Sequence, residues 1–417
     1  MKAEAAWDWE PGTRTIQEIA TCDNDYQWRE EPVVSPDGET LACVVNLEPG
    51  VFGLCVNGRV WETTFEKIWY PRFAPDNRLT AIVSQDGEWT LAVDGETWPE
   101  FYGFLWNTTF SDSGAIAAAV QQEMTYGMAV DGTLWDQLYE NANHFAFIPN
   151  GKATAAVVQN AELGEADIEH FQEGLYTLAV NGETWDRNFV NVWTPVFSRD
   201  GDRLAAVVRL NLYEHTIAVD GRPWSQTYNA VWEPSFNQAT GAVVAPVRQG
   251  GAWGLAKDGA LIWPAHYGQL WQQKISRDGK HIAAIAAVKY GRFTVTVNDR
   301  AWTNLFSVVT DLAMSPDGSR AAAIGKEDER WSVVVDDTRW SGRYERAWGP
   351  VFCPDGRYAA AKVEKNGRYT IAVNNKEYPE DFEAVWGPIF SPDSEKILIR
   401  AVKDGKLIRI VAKVADV

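Results

Sequence analysis

The sequence of 417 residues has few of the residue types that build metal, haem and catalytic sites. It contains four Cys and five His. The Cys residues form no CxxC pair, so a zinc or iron–sulfur site lacks its usual ligand spacing. The His residues share no metal-ligand spacing, and no CxxCH haem attachment, P-loop, GxGxxG or GxSxG motif is present. We therefore expect no catalytic residue, no metal and no cofactor held by this chain.

Positive charge is also scarce. There are 38 Lys and Arg against 57 Asp and Glu, a net charge of −19. A nucleic-acid-binding protein needs a cationic face, so this balance argues against nucleic acid as a partner. No apolar run approaches the length of about 18 residues that a membrane-spanning helix needs, and the start lacks the apolar stretch of a secretory signal. We expect a cytoplasmic protein with no membrane span of its own.

An internal repeat accounts for nearly the whole chain. A motif of the form Phe-Ser-Pro-Asp-Gly recurs in ten units, spaced by 37 to 39 residues except for one interval of 50. Regular self-similarity of this length is typical of solenoids and propellers. The position of its Ser is occupied by Ser35, Ala74, Ser111, Ile148, Ser198, Asn237, Ser276, Ser315, Cys353 and Ser391.

Each unit is predicted to form four short antiparallel strands. In the fifth unit, β-forming runs at 192–197, 204–208 and 215–219 are separated by turn motifs and followed by Asp220-Gly221. Asp-Gly and Asn-Gly pairs indicate hairpins, because Asn, Asp and Gly tolerate the positive φ of a tight turn. The second and third runs are almost wholly apolar, which indicates that both sheet faces are covered. The prediction is an all-β fold, a β-propeller of about ten four-stranded blades.

The two ends of the chain are predicted to close the ring. The tenth unit stops without a fourth strand, whereas residues 15–20 form a β-type run that belongs to no unit. Pairing these terminal strands would remove exposed sheet edges. The predicted domains are an N-terminal extension at 1–14 and a propeller at 15–417. Two five-bladed rings are the alternative, although no Pro/Gly/Ser-rich linker separates two halves near 185–235.

Eighteen of the 21 Trp residues fall into columns of the repeat, and the exceptions are Trp7, Trp9 and Trp28. A ligand site is local, whereas these columns run around the whole ring, so we interpret them as packing within and between blades. The first column, at the start of the first strand, contains Trp69, Trp106, Trp193, Trp232, Trp271, Trp348 and Trp386. The second, after the last turn, contains Trp61, Trp98, Trp135, Trp185, Trp224, Trp263, Trp302 and Trp340, whose indole N–H groups we expect to donate hydrogen bonds. A third, at the start of the third strand, contains Trp89, Trp253 and Trp331.

The long interval arises from an insertion at 160–174, between the second and third strands of the fourth unit. It carries five acidic and three apolar side chains. It stands on the face that bears the longer connections, where binding elements usually lie. A solvated loop is the default interpretation of this insertion, and a docking element for a protein partner is the alternative. The candidate partner-binding residues are Glu162, Glu165, Asp167, Glu169, His170 and Phe171.

The repeat resembles a known family of propellers. The Phe-Ser-Pro-Asp-Gly turn, followed by Ala-Ala-x-Val and Ala-Val-Asn-Gly, resembles the WD40-like (TolB-type) repeat over residues 15–412. The Asn/Asp-Gly-x-x-Trp series resembles the tryptophan-rich TmcD-type subunits of the transmembrane electron-transfer complex of sulfate-reducing bacteria. That resemblance implies a subunit with no cofactor of its own, held peripherally at the inner membrane. The implied partners are a multihaem cytochrome c, a membrane cytochrome b and an iron–sulfur subunit.

Two functions follow from the sequence. The first is a non-catalytic scaffold subunit of a membrane-associated respiratory electron-transfer complex, which docks protein partners on a propeller face. The alternative is a propeller that binds a small molecule or glycan, or acts on one, at the central channel. That alternative requires inward carboxylates or histidines, and the first Trp column offers Glu30, Asn143 and Thr310 as its non-Trp members.

Overall fold

The computed structural model describes residues 4–19, 26–162 and 168–417, and over these residues the chain forms ten antiparallel sheets. The sheets are the blades of one β-propeller. We name the main strands of each blade a, b, c and d, in order across the sheet. Strand a of most blades contacts strand a of the next blade, so strand a lines the central channel. The predicted all-β, ten-bladed fold is confirmed.

Strand a forms the inner edge of each blade and strand b lies next to it. Strand a is continuous in blades 2, 3, 4, 5, 7 and 8, where it spans Lys67–Phe73, Phe104–Phe110, Ala142–Phe147, Asn191–Phe197, Gln269–Ile275 and Val308–Met314. In blades 1, 6, 9 and 10 it has two segments, Trp28–Arg29 and Val33–Val34, Ala230–Val231 and Ser235–Phe236, Arg346–Ala347 and Val351–Phe352, and Ala384–Val385 and Ile389–Phe390. Strand b spans Leu41–Glu48, Leu79–Gln85, Ile116–Gln122, Thr154–Gln159, Leu204–Arg209, Val243–Gln249, Ile282–Lys289, Ala321–Glu327, Ala359–Lys365 and Lys396–Lys403.

Strands c and d complete each blade towards its outer edge. Strand c spans Val51–Val56, Glu88–Val93, Thr125–Val130, Tyr176–Val180, His215–Val219, Ala252–Lys257, Arg292–Val297, Arg330–Val335, Arg368–Val373 and Lys406–Lys413. Strand d spans Arg59–Val60, Glu96–Thr97, Thr133–Leu134, Glu183–Thr184, Arg222–Pro223, Ala260–Tyr267, Arg300–Ala301, Thr338–Arg339 and Lys376–Glu377, with Gly12–Glu18 in blade 10. The described helices are α1 at Ile168–Glu173 and two 3-10 turns at Glu4–Ala6 and Val414–Asp416.

The turn between strands c and d also forms a hydrogen bond to the start of strand b. In blade 5, Asp220 and Gly221 have φ values of 51° and 76°, as the sequence predicts for such a pair. In addition, Asp220 Oδ1 accepts a hydrogen bond of 2.8 Å from the backbone N–H of Leu204, at the start of strand b. The side chain therefore ties the turn to the neighbouring hairpin. The same contact is made by Asn57, Asp94, Asp131, Asn181, Asp258, Asn298, Asp336 and Asn374.

The turn between strands a and b is held by a hydroxyl–carboxylate pair. The Ser315 hydroxyl donates to Asp317 Oδ1 over 2.6 Å, and this bond holds the pKa of that carboxyl below its usual range. Cys353 takes the place of Ser in blade 9, where its thiol lies 3.0 Å from Asp355 Oδ1 and lowers the pKa of Asp355 to about 2. The hydrogen bond between Ser and Asp accounts for the Ser-x-Asp pattern of the repeat. The same bond is made by Ser35, Ser198, Ser276 and Ser391.

The lowered pKa of the Asp carboxyl groups in these turns predicts a loss of stability in acid. A carboxyl whose pKa is lower in the folded than in the unfolded chain stabilises the fold above its unfolded pKa, and this contribution is lost as the pH falls. We expect the melting temperature to fall as the pH drops from about 4 towards about 2. Thermal melts across this range check it. The double variant Ser315→Ala, Ser391→Ala should show a shallower fall, and an unchanged pH slope would contradict the assignment.

The ring closes through the two ends of the chain, as predicted. Gly12–Glu18 pairs antiparallel with Lys406–Lys413 and so supplies strand d of blade 10, beginning three residues earlier than the sequence suggested. Blade 10 is also joined to blade 1, because Arg400 Nη1 donates to the carbonyl oxygen of Ser35 over 3.1 Å. Blades 5 and 6 are in contact as well. The alternative of two five-bladed rings is therefore wrong.

Strand a is irregular at one position in every blade. In the six continuous strands, the residue after the first-column position has a positive φ, and the register with strand b shifts there. These residues are Tyr70, Asn107, His144, Thr194, Gln272 and Asp311. In the four divided strands the gap contains Pro32, Pro234, Pro350 or Pro388, which cannot donate to the ladder. Bulges of this kind redirect side chains, here along the wall of the channel.

Candidate functional site

The second Trp column lies at the contact between consecutive blades. Trp98, Trp135, Trp263 and Trp340 are buried, and the other four members are half-buried. Several of these indoles lie beneath the c–d turn of the next blade, close to its glycine. A Cβ atom added to Gly132 would lie 3.4 Å from the Trp98 side chain, and one added to Gly259 would lie 3.3 Å from the Trp224 side chain. Among the described residues, Trp135 is the column member whose indole N–H donates a hydrogen bond, to Thr154 Oγ1 over 2.8 Å.

A further aromatic column, which our sequence analysis missed, reinforces the same contact. It follows the second column, whose position in blade 9 is held by Tyr378, by four residues in every blade from 1 to 9, and this regular spacing could have revealed it. The Tyr139 hydroxyl donates to the carbonyl oxygen of Gly182 in the next blade over 2.6 Å, and Tyr228 makes the equivalent bond to Gly259 over 2.8 Å. The buried members are Phe65, Tyr102, Tyr139, Phe189, Tyr228, Tyr267, Phe306, Tyr344 and Phe382.

The first Trp column differs, because its rings lie towards the channel. Six of its members contact the ring at the start of strand c in the same blade, in geometries that run from stacked to edge-to-face. Trp232 and Trp253 are stacked, with ring centroids 5.4 Å apart. Trp69 and Trp232 are 41% and 52% exposed. The column therefore presents indole surface to solvent in two blades, where the sequence analysis expected packing. The remaining members, Trp106, Trp193, Trp271, Trp348 and Trp386, are half-buried.

A pocket of about 340 Å³ lies between the inner strands of blades 5 and 6. Its wall is almost entirely carbon and includes the indoles of Trp193 and Trp232. Trp193 stacks on the imidazole of His215, with centroids 6.2 Å apart. His144, from strand a of blade 4, and the exposed Glu233 also line the pocket. An apolar cavity with a few polar groups is the usual form of a small-molecule site.

Two polar atoms on residues that line this pocket, Thr194 Oγ1 and His215 Nδ1, have no hydrogen-bond partner. Both atoms are inaccessible to water. Burial lowers the pKa of His215, with the nearby Arg209 cation acting in the same direction, so the imidazole is neutral at pH 7. Thr194 has φ of 47°, which is unusual for a β-branched residue. Strain and unsatisfied polar atoms concentrate at functional sites.

Sequence analysis missed this pocket, although a signal was present. Every blade from 1 to 9 has an aromatic residue at the start of strand c except blade 5, where His215 takes that place. The three residues proposed for a channel site are not brought together. Glu30, Asn143 and Thr310 lie in blades 1, 4 and 8, and burial raises the pKa of Glu30.

The predicted docking insertion is described in part. Glu165 and Asp167 lie outside the described residues. Glu162 is exposed, and α1 contains Glu169, His170 and the half-buried Phe171. The base of the insertion is fixed, because the backbone N–H of Asn160 donates to the carbonyl oxygen of Leu175 over 2.8 Å.

Exposed apolar side chains occur on the same face as this insertion. The b–c turns of blades 3, 5 and 7 carry Met124, Tyr213 and Tyr290, which are 73%, 79% and 105% exposed. Leu212 is 44% exposed beside Tyr213. Met124 has φ of 65°, at a turn position where other blades place Gly. We call these four residues, together with the insertion at 160–174, the b–c face.

Within the described ranges, no group of three or more His, Cys, Asp and Glu side chains is arranged to hold a metal ion. No helix in the same ranges combines the length and apolar character needed to cross a bilayer.

The likeness of this chain to known proteins is confined to its fold. No family model and no curated protein matches the sequence. A solved structure of the eukaryotic initiation factor is similar over 81% of this chain and 93% of its own, with 13% identity and a TM-score of 0.51. TolB from Acinetobacter baumannii is similar over 58% and 61%, with 14% identity and a TM-score of 0.30. The Cps50 (Swd1) propeller domain of Myceliophteria thermophila covers 64% and 97%, with 10% identity and a TM-score of 0.30. The chain is a ten-bladed β-propeller of four-stranded antiparallel blades.

Proposed function

We propose that this chain is a non-catalytic scaffold that binds a protein partner on the b–c face. The observation that carries the proposal is the exposure of Met124, Tyr213 and Tyr290 on b–c turns, where blades 2, 9 and 10 place an Asp-Gly or Asn-Gly pair. Exposed Tyr and Met side chains of this kind can anchor a protein partner, because these residue types are enriched at the centres of interfaces. Propeller faces built from loops on a rigid ring are suited to this role.

The charge of the chain defines the chemistry of the partner. Its net charge is −19, and the insertion adds five acidic residues to the b–c face. A partner with a basic rim around an apolar centre would be oriented by this field before the apolar contacts form. We therefore propose a partner protein whose contact surface is basic and apolar.

The finer proposal concerns the identity of that partner. The repeat and its Trp series resemble TmcD-type subunits, so we propose that the partner belongs to a respiratory electron-transfer complex. Its subunits would be a cytochrome b, an iron–sulfur protein and a multihaem cytochrome c. The propeller would then be held at the membrane through these subunits. This part rests on the resemblance, and the docking proposal does not depend on it.

Affinity purification of the tagged chain from its native cells tests both statements. We expect polypeptides carrying haem or iron–sulfur clusters to co-purify, identified by mass spectrometry and by the visible spectrum of the eluate. The triple variant Met124→Gly, Tyr213→Ser, Tyr290→Ser should lose these polypeptides, because it removes the exposed apolar side chains of the b–c face.

The matched control removes apolar surface elsewhere. Leu261 and Ile262, on strand d of blade 6, are 40% and 38% exposed. Leu261→Ser, Ile262→Ser should leave capture unchanged. A colourless chain that purifies alone would contradict the respiratory proposal. Equal capture by the triple variant and the unaltered chain would contradict docking on the b–c face.

The pocket between blades 5 and 6 favours a second candidate function, the binding of a small molecule at the central channel. It has the inward histidines that this alternative requires, although at His144 and His215 and not at the positions that the sequence suggested.

A further inference from the structure

We propose that the pocket between blades 5 and 6 binds an organic cation, a small molecule that carries an alkylated ammonium group. This inference names the ligand class of the small-molecule function proposed above, on which it rests, and it is independent of protein docking on the b–c face. It depends on accessible aromatic surface, on an exposed carboxylate, and on a related cavity in which the protein places an ammonium group of its own.

The aromatic wall of the pocket is open to a ligand. Trp193 and Trp232 come from strand a of neighbouring blades, so each blade contributes an indole to the lining. Trp232 is 52% exposed, although it stacks on Trp253 with an interplanar angle of 7°. Trp is the aromatic side chain that attracts a cation most strongly, because the face of its ring is electrostatically negative. Two indoles around a cavity of about 340 Å³ therefore favour a cation with an apolar surface.

The charges around the pocket favour the same sign of ligand. Glu233 lines the cavity, and its exposed carboxylate makes no hydrogen bond or ion pair within the described ranges. None of the described Lys and Arg side chains lines the cavity, and His215 is neutral at pH 7. Arg209 is held outside the lining by hydrogen bonds to the carbonyl oxygens of Asn211 and Leu212. The net charge of −19 also favours the approach of a cation.

A related cavity lies between the inner strands of blades 9 and 10. It has a volume of about 290 Å³, and its lining includes the first-column indoles of both blades, Trp348 and Trp386. In this cavity the protein supplies the cation itself. The Lys362 Nζ atom lies 4.3 Å from the centroid of the Trp348 ring and 4.9 Å from that of Tyr369. An indole of the first column therefore contacts an ammonium group in the folded chain.

Blade 5 lacks this lysine. Val207 occupies the repeat position of Lys362, because each residue lies on strand b opposite the first-column Trp of its own blade. The pocket between blades 5 and 6 thus has the paired indoles without the cation, and it has Glu233 where the other cavity has Gly387. A ligand with an ammonium group completes the same arrangement.

Calorimetric titration of the full chain with two probes of the same shape tests the proposal. Choline carries a quaternary nitrogen, and 3,3-dimethyl-1-butanol has a carbon atom in its place and no charge. We expect choline to bind about tenfold more tightly, because the indoles and the Glu233 carboxylate attract its charge. Equal affinities, or tighter binding of the neutral probe, would overturn the cation and leave the pocket a small-molecule site. Absence of binding by either probe would contradict the small-molecule function as well.

Four variants locate the site. Trp232→Leu keeps an apolar side chain and removes the indole, and Glu233→Gln keeps the side-chain shape and removes the charge. Each should weaken choline binding about threefold or more and weaken the neutral probe less. Val207→Lys introduces the lysine of blade 9 and should abolish choline binding, because its ammonium group occupies the site. Trp271→Leu, which removes the first-column indole of blade 7 outside this cavity, should change neither affinity. An equal loss in Trp271→Leu and Trp232→Leu would place binding elsewhere and contradict the proposal.

Discussion

Replacement of Arg409 by alanine is expected to lower the free energy of unfolding by about 3–5 kcal/mol. Arg409 is 2% exposed in strand c of the closing blade. Its Nε atom donates to the Asp37 carbonyl oxygen over 2.8 Å and lies 3.0 Å from Glu39 Oε1, and Nη2 donates to the Asp8 carbonyl oxygen over 2.5 Å. The change removes the side chain that joins Asp37 and Asp8 to strand c of blade 10 and opens a cavity where blade 10 meets blade 1. Urea denaturation measures the loss.

Arg357→Ala is the matched control for this prediction. Arg357 also joins two a–b turns, through ion pairs of 2.6 Å to Asp355 and 2.7 Å to Glu395, but it is half-exposed. Ion pairs in water contribute little, so stability should hardly change. If the two variants lose equal stability, the buried arginine does not hold the ring closed.

The second large effect is expected for Trp135→Ala, a loss of about 3–5 kcal/mol in the free energy of unfolding. Trp135 is 7% exposed and its side chain lies 3.5 Å from the position of a Cβ on Gly182, in the turn of the next blade. The variant therefore opens a void between blades 3 and 4 and leaves the Thr154 hydroxyl without its donor. Chemical denaturation monitored by circular dichroism checks the value.

Trp232→Ala tests whether the stability lost on removing an indole depends on how much of it is buried. Trp232 is 52% exposed, so its truncation removes about half as much buried area and should cost about half as much stability or less. Equal losses at Trp135 and Trp232 would contradict the distinction between the second and first Trp columns.

The fold could be predicted from the sequence because its turn motifs, apolar runs and terminal segments all indicate the same structure. The turn motifs mark hairpins, the apolar runs at strands b and c require cover on both faces, and the unpaired runs at the two ends supply a missing strand. The hydrogen bond that the Asp220 carboxylate accepts from the backbone N–H of Leu204, at the start of strand b, could not be predicted in the same way. It depends on the spatial neighbour of the turn, which lies 16 residues away in the chain.

The pocket could not be predicted, for a local reason. Strand a bulges at Thr194 as it does at the equivalent residue of five other blades, so the cavity depends on how the side chains of blades 5 and 6 pack around the bulge and not on the bulge alone. The sequence also does not distinguish the two Trp columns by burial. Trp193 and Trp135 both occupy repeat positions held by Trp in most blades, but Trp193 is half-buried and Trp135 is buried. His215, the departure from the aromatic pattern, was the readable part of the signal.

Docking on the b–c face is tested most directly by amine-reactive cross-linking of the captured complex, followed by mass spectrometry. Lys289 and Lys365 lie exposed at the b–c ends of their strands, whereas Lys152 and Lys280 are exposed at a–b turns on the opposite face. We expect cross-links to the partner from Lys289 and Lys365. Cross-links confined to Lys152 and Lys280 would contradict docking on the b–c face.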